Sequence, residues 1–220
     1  MRALCLLLLL IPLLAGAPGR AEAACGGTAP AISVTTVEQK LRQDQALPIA
    51  VLKRRAGVTG PNGFVLGLTE SEVAASTRYA MLVSPEGAGV SCVSFRSITV
   101  ELRLAMTVHV AAELKPGSCL YNAALQHEQG HIIVERKMLP RAKARVAVVL
   151  TGVARRGETA SDAAVAQRSL QAAADAVIQQ AMREIAAEKK RQQRALDTPD
   201  EYRRVSQACG SAALSAVTQP

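Results

Sequence analysis

His127-Glu128-Gln129-Gly130-His131 reads H-E-x-x-H in a chain with three histidines in all. At i and i+4 on a helix the two imidazoles share one face, one turn apart, close enough to grip a single ion. Imidazole nitrogens ligate zinc at about 2.0–2.1 Å, and catalytic zinc sites keep one position open for water. Glu128 lies one residue round the helix, beside that open position, where a carboxylate can take a proton from water. Ala124, His127, His131, Val134 and Met138 form one stripe at helical spacing, which points both imidazoles inward. Two buried neutral imidazoles need partners, and one metal would serve both. The competing explanation is a pair of histidines satisfied by hydrogen bonds inside an amphipathic helix.

Catalytic zinc ordinarily has three protein ligands. Glu135 is on the same helix, but i to i+8 from His127 spans about 12 Å, too far to share the ion. A long helix follows after a short connection and so returns antiparallel to the metal helix. Counting along both helices brings residues near 182–188 opposite the histidines. Glu188, closer to the middle of the apolar stripe, is the first candidate, although it also reads as a solvated carboxylate next to Lys189. Glu184 comes next. Asp197 and Glu158 stay in play because a kink at Pro140 would shift the count by a turn or more.

The elements that carry these residues divide into a strand-rich first half and a helical second half. Ile32 to Thr36 is β-branched and reads as a strand, and Val37 to Ala46 as a short polar helix. Pro61-Asn62-Gly63 is a turn signal. Thr69 to Glu72 has capping-box form, and Tyr79 to Val83 reads as a strand. From Ser97 to Val110, Val100, Leu102, Leu104, Met106, Val108 and Val110 alternate with polar or small residues, which marks a half-buried antiparallel strand. His109 is on its polar face, an exposed or rim position. Pro116-Gly117-Ser118 opens the metal helix, about Asn122 to Met138, with Ser118 or Asn122 as cap. Pro140 starts or kinks the next helix, which ends near Ala154. The long helix runs from about Ala160 to Leu196, with Leu170, Ala174, Val177, Ile178, Ala181, Met182 and Ile185 as its apolar stripe. Thr198-Pro199 ends it. The expected class is α+β: a small antiparallel sheet packed on the H-E-x-x-H helix, followed by a long antiparallel helical hairpin.

The amino terminus has the form of a secretory signal. Arg2 supplies the positive start, Leu6 to Leu14 an apolar run too short to span a bilayer, and Ala21-Glu22-Ala23 a small-x-small cleavage pattern. The expected organisation is a signal peptide at 1–23, a single domain at 24–210, and a frayed tail at 211–220. Export to the periplasm or the exterior follows. Cys25, Cys92, Cys119 and Cys209 remain after cleavage, an even count that implies two disulfides. Of three possible connectivities we expect Cys92–Cys119 and Cys25–Cys209. The formal net charge is +8, spread over runs such as Arg141 to Arg145 and Lys189 to Arg194. Most of that reads as solvated helix face; its functional reading is attraction to an anionic envelope surface. Nucleic acid is excluded as a partner by export and by the lack of stacking aromatics among the basic runs.

The motif resembles the signature of the zincin metallopeptidases. With a downstream acidic third ligand it is similar to the gluzincin branch. Gly117-Ser118-Cys119-Leu120-Tyr121 leading into His127-Glu128-Gln129-Gly130-His131 also looks like a group of exported bacterial proteins described as zinc-dependent proteases, a likeness specific over Pro116 to Met138. The resemblance implies that His127 and His131 are ligands, that Glu128 is the general base, and that the fold is a small sheet on the active-site helix followed by further helices. Two functions are therefore expected to compete. One is a secreted or periplasmic zinc peptidase acting on peptide or protein substrates. The other is a non-enzymatic envelope protein with a structural metal site and a basic interaction helix.

Overall fold

The computed structural model describes Cys25, residues 28–59 and residues 64–218. The expected signal segment at 1–23 and the Pro61-Asn62-Gly63 turn lie outside the described residues. Within them the chain forms β1 (Ala31–Glu38), β2 (Arg42–Asp44), α1 (Ile49–Arg55), β3 (Gly67–Gly87), β4 (Val90–Val110), α2 (Cys119–Ala154), β5 (Gly157–Ala160), α3 (Ala163–Leu196), α4 (Pro199–Gln207) and α5 (Ser211–Thr218). No helix among them is long and apolar enough to cross a membrane.

Every strand pairs with β4, which is the spine of the sheet. β3 runs antiparallel along one side, from Gly67 opposite Val110 to Gly87 opposite Val90. The other side is filled in succession by β5, β1 and β2, against 91–94, 97–104 and 107–109. β5 is antiparallel, but β1 and β2 are parallel to β4. The sheet is therefore mixed, which corrects the small antiparallel sheet expected; only the broad α+β class is compatible. The reason lies between β1 and β2. Residues 39–41 do not reverse the chain, so the two strands advance in one direction along β4, and the polar stretch Val37 to Ala46 is extended rather than helical. Thr69 to Glu72 likewise belongs to β3, not to a helix start.

β4 explains why one face of the sheet takes helices. Ile98, Val100, Leu102, Leu104, Met106, Val108 and Val110 are almost fully buried while Thr99 and Arg103 are exposed. Before Arg96, apart from the disulfide-bonded Cys92, the buried positions are odd-numbered, Val93 and Phe95. The parity changes where the β3–β4 register slips, between Ala80 and Met81 opposite Phe95 and Ser97. One extra residue there returns the apolar set to the same face.

Gly117, at φ +76°, turns the chain into α2, and the Ser118 hydroxyl caps it by accepting from the Tyr121 N–H. α2 continues through Pro140 as one helix where two were expected. Proline removes one backbone donor, and burial of Met138, Leu139, Ala142 and Val146 around it offsets that loss. α3 passes α2 in the opposite direction: Arg145 pairs with Glu184, Arg141 with Glu188, and Glu135 with Lys189. Its ties to the sheet are Tyr79 Oη donating to Asp175 at 2.5 Å and Lys189 Nζ donating to Ser71 at 3.0 Å. Thr198 caps α4, accepting from the Glu201 N–H at 3.1 Å. Residues 211–218 form α5 where a frayed tail was expected.

Two disulfides close the structure, Cys25–Cys92 and Cys119–Cys209. They correct the expected Cys92–Cys119 and Cys25–Cys209. Cys92 is at the start of β4 and Cys119 follows its end, so the two are separated by a strand on the order of 60 Å long. Cys119–Cys209 instead joins the start of α2 to the segment just after α4. Its ring spans 90 residues of separation, so Cys209→Ser is expected to lower the unfolding free energy by up to about 4–5 kcal/mol in the chain-entropy model. Urea denaturation of the oxidised parent and the variant measures this, and a non-reducing peptide map checks the pairing.

Candidate metal centre

α2 delivers the first two donors as the i, i+4 spacing requires. His127 Nε2 and His131 Nε2 are 3.1 Å apart, with their rings edge to face. The third donor comes from the joint between α3 and α4. Asp197, the residue that ends α3, brings Oδ1 to 3.0 Å from His131 Nε2 and 3.3 Å from His127 Nε2. The far side of each ring is held: His127 Nδ1 donates to Glu201 Oε1 at 3.2 Å, and His131 Nδ1 donates to Gln193 Oε1. With both Nδ1 protons committed outward, both Nε2 lone pairs and a carboxylate oxygen converge on one point.

Three lone pairs aimed at one point demand a cation there. His127, Glu128 and His131 form a group that could hold a metal ion, their ligand atoms lying within 4.8 Å of one another. Asp197 meets the two imidazoles still more closely. Donors about 2.0–2.2 Å from a tetrahedral ion lie about 3.3–3.6 Å apart, and the observed triangle has edges of 3.0, 3.1 and 3.3 Å. The residues present therefore fit a metal with one tetrahedral face occupied by protein.

Without a metal, protons fill the same role. Burial pulls the His131 imidazole down, but its bonds to Asp197 and Gln193 and the Asp197 charge outweigh that and hold it at about 9. His127 is raised too: burial opposes, and Asp197, Glu128 and Glu201 prevail. Burial would raise Asp197, yet the two histidines hold its carboxyl well below the usual range. Arg204 is the main group that lowers Glu201, to about 2, with His127 assisting.

Glu128 is almost fully buried on the cleft side of α2. Thr69 Oγ1 on β3 donates to its Oε2 at 2.7 Å. Gly67 is what allows this approach, since a Cβ there would come within 2.8 Å of the Glu128 side chain. Burial raises the Glu128 carboxyl above its ordinary value, more than Thr69 and the histidines lower it. The space in front of these groups is a cleft of about 440 Å³ lined by Gly67, Thr69, Ser71, Lys190, Asp197 and Tyr202 among others. Tyr202 stacks at a tilt 6.1 Å from the His127 ring; burial and Asp197 push its phenol up to about 12.

The remaining sequence candidates lie elsewhere. Glu188, the first choice for third ligand, pairs with Arg141 and Gln192. Glu184 pairs with Arg145. Glu158 is on β5 opposite Val93, at the other end of β4 from Gly67. His109 is not at the rim: it is 6% exposed, with Nδ1 2.8 Å from Asp44 Oδ2 and Nε2 3.0 Å from Glu70 Oε2. Gln193, Glu201 and Tyr202 were missed. A signal for Glu201 existed, because Thr198-Pro199-Asp200-Glu201 has the T-x-x-E form of a helix start. No protein-family model, curated protein or solved structure matches the chain.

These protonation states set the pH dependence of stability. His131 is raised from 6.5 to about 9 in the folded, metal-free protein, so its stabilising contribution is complete below about pH 6.5 and is lost as pH climbs toward 9. Asp197 is depressed, so its contribution is present above its unfolded value of 3.8 and is lost as pH falls below it. The metal-free protein is expected to be more stable near pH 5.5 than near pH 8.5. A divalent metal must displace the histidine protons, so its stabilising effect should be larger near pH 8.5. Thermal melts with chelator and with metal, at both pH values, check both signs.

Proposed function

We propose that this chain is an exported zinc-dependent peptidase. The observation that carries the reading is the donor triangle of His127 Nε2, His131 Nε2 and Asp197 Oδ1 facing a cleft whose lining includes the Glu128 carboxylate, within 4.8 Å of the imidazole nitrogens. Two imidazoles and one carboxylate suit zinc in a catalytic shell with an open fourth position. Zinc held there acts as a Lewis acid on a carbonyl and brings the pKa of a water molecule toward about 7.

Glu128 then serves as general base. Burial raises its carboxyl above the ordinary value, the direction that suits a proton acceptor. The proton it accepts returns to the leaving amine, which restores the carboxylate. Thr69 fixes its Oε2, leaving Oε1 to exchange the proton. Asp197 where the gluzincin pattern has a glutamate sets this chain apart from the branch its motif resembles.

A peptide substrate is favoured by the sheet. Ser97 to Val110 lies inside it, paired on both sides, and so offers no free edge. β3 pairs only with β4 among the described residues, and Gly67, Leu68, Thr69 and Ser71 near its start line the cleft. An extended peptide can add to that edge as a strand, with its backbone drawn past Glu128. Export is supported by the two disulfides, which persist in oxidising compartments. The rival reading uses Lys189 to Arg194 as an interaction surface. Two residues of that stretch, Lys189 and Gln193, are instead engaged inward with Glu135.

Purified oxidised protein is expected to bind about one zinc per chain. His127→Ala and Asp197→Ala should lose it, and Glu188→Ala should keep it, as elemental analysis will report. Glu128→Gln is nearly isosteric and should retain zinc while turnover of a peptide library falls roughly 10²–10⁴-fold, the worth of a general base. Equal turnover in parent and variant would remove Glu128 from the mechanism.

A further inference from the structure

Gln193 has two ways to present its amide to His131, and only one leaves the His131 Nε2 lone pair free for a metal. If the amide oxygen faces Nδ1, the ring must carry its proton there, and Nε2 points bare at Asp197 and His127. If the amide nitrogen faced Nδ1, that nitrogen would be the acceptor and the proton would move to Nε2, inside the donor triangle. Something must fix the amide, because its two ends are nearly the same size.

Glu135 is placed to do so. It is one turn beyond His131 on α2 and 3% exposed. Its Oε1 accepts from Gln193 Nε2 at 2.9 Å and lies 3.3 Å from Lys189 Nζ. An ammonium can only donate, so Oε1 must accept, and Gln193 must turn its N–H groups toward it. The Gln193 oxygen is thereby left for His131 Nδ1. A second acceptor, the His131 carbonyl, lies farther from Gln193 Nε2, at 3.3 Å. Lys189 is anchored in turn by donating to Ser71 on β3 at 3.0 Å.

The other oxygen of Glu135 argues that the residue is not there for stability. Oε2 is buried with no hydrogen-bond partner among the described residues. Burying a carboxylate with one oxygen unsatisfied costs folding free energy. The cost falls on a residue whose Oε1 meets Gln193 and Lys189 rather than an imidazole.

We propose that Glu135 is a positioning residue: through Gln193 it sets the tautomer of His131 and so pre-organises the metal centre. This rests on the metal reading above and extends it to a residue two hydrogen bonds removed from the ligand His131. Groups that orient a ligating imidazole are typically worth 10–100-fold in metal affinity.

The test uses the full oxidised protein and measures zinc affinity by chelator competition, with melting of the metal-free form alongside. Glu135→Met should weaken zinc binding 10–100-fold while the metal-free protein melts no lower than the parent. Glu135→Gln can still turn a carbonyl to Lys189 and Gln193, and should stay within a few-fold of the parent. Gln193→Met should weaken binding about as much as Glu135→Met. The double variant should be no weaker than Gln193→Met alone, because Glu135 acts only through Gln193. Parent-like affinity in Glu135→Met, additive losses in the double variant, or a Glu135→Gln variant as weak as Glu135→Met would each overturn the proposal and leave the metal centre standing. A parent that binds no zinc would overturn both.

Discussion

Three electron pairs from His127, His131 and Asp197 meet at one point, and the rest of the local structure exists to make that tolerable. Lone pairs about 3 Å apart repel unless a cation lies between them. Protons can do this, as the raised histidines and the depressed Asp197 attest. A divalent ion does it without leaving the rings charged. Either way the three donors must be held from three directions. α2 supplies two donors on one face. The α3–α4 joint supplies the third, and the Cys119–Cys209 bridge keeps α4 against the start of α2. Glu201 and Gln193 hold the outer nitrogens, so the rings cannot flip away from the common point.

The parts of this legible in the sequence were those governed by short-range periodicity. The i, i+4 pair and its neighbours at Ala124 and Met138 place both imidazoles on the buried side of one helix, and Ala124, His131 and Met138 are indeed buried. The alternation from Ser97 to Val110 finds the spine of the sheet. What was not legible depends on where the chain goes between elements. A tight turn after Ala154 would bring residues near 182–188 opposite the histidines. β5 instead carries the chain on for four residues along β4 before α3 begins. α3 therefore starts beyond the end of α2, and every facing pair shifts toward higher numbers, so that Gln193 and Asp197 meet His131 while Glu184 and Glu188 meet arginines. His109 failed for a related reason. Period two assigns it to the solvent face, and only the folded chain shows β2 and β3 closing over it with Asp44 and Glu70.

Disulfide pairing was illegible for a reason of scale. Separation in sequence says little about distance once a strand of 21 residues intervenes. Cys92 and Cys119 are near in number but at opposite ends of β4. Cys119 and Cys209 are far apart in number, yet adjacent because α3 retraces the length of α2.

The asymmetry of the metal centre bears on its use. A structural zinc site closes its shell with four protein ligands, because an open position contributes nothing to folding. Here the protein donors occupy one face only. On the open side are a cleft, a buried carboxylate whose pKa is raised, and a phenol held next to Asp197. Gly67 deepens the asymmetry, since its missing side chain is the space that Glu128 fills. Burying Glu128 and Glu135 two turns apart on α2 works against folding, and a purely structural site would gain nothing from Glu128 or from the empty space before it. Both features fit the proposed reading, in which a carbonyl entering the cleft would be polarised and a water molecule would give its proton to Glu128. They therefore support the proposed hydrolytic reading over a scaffolding one.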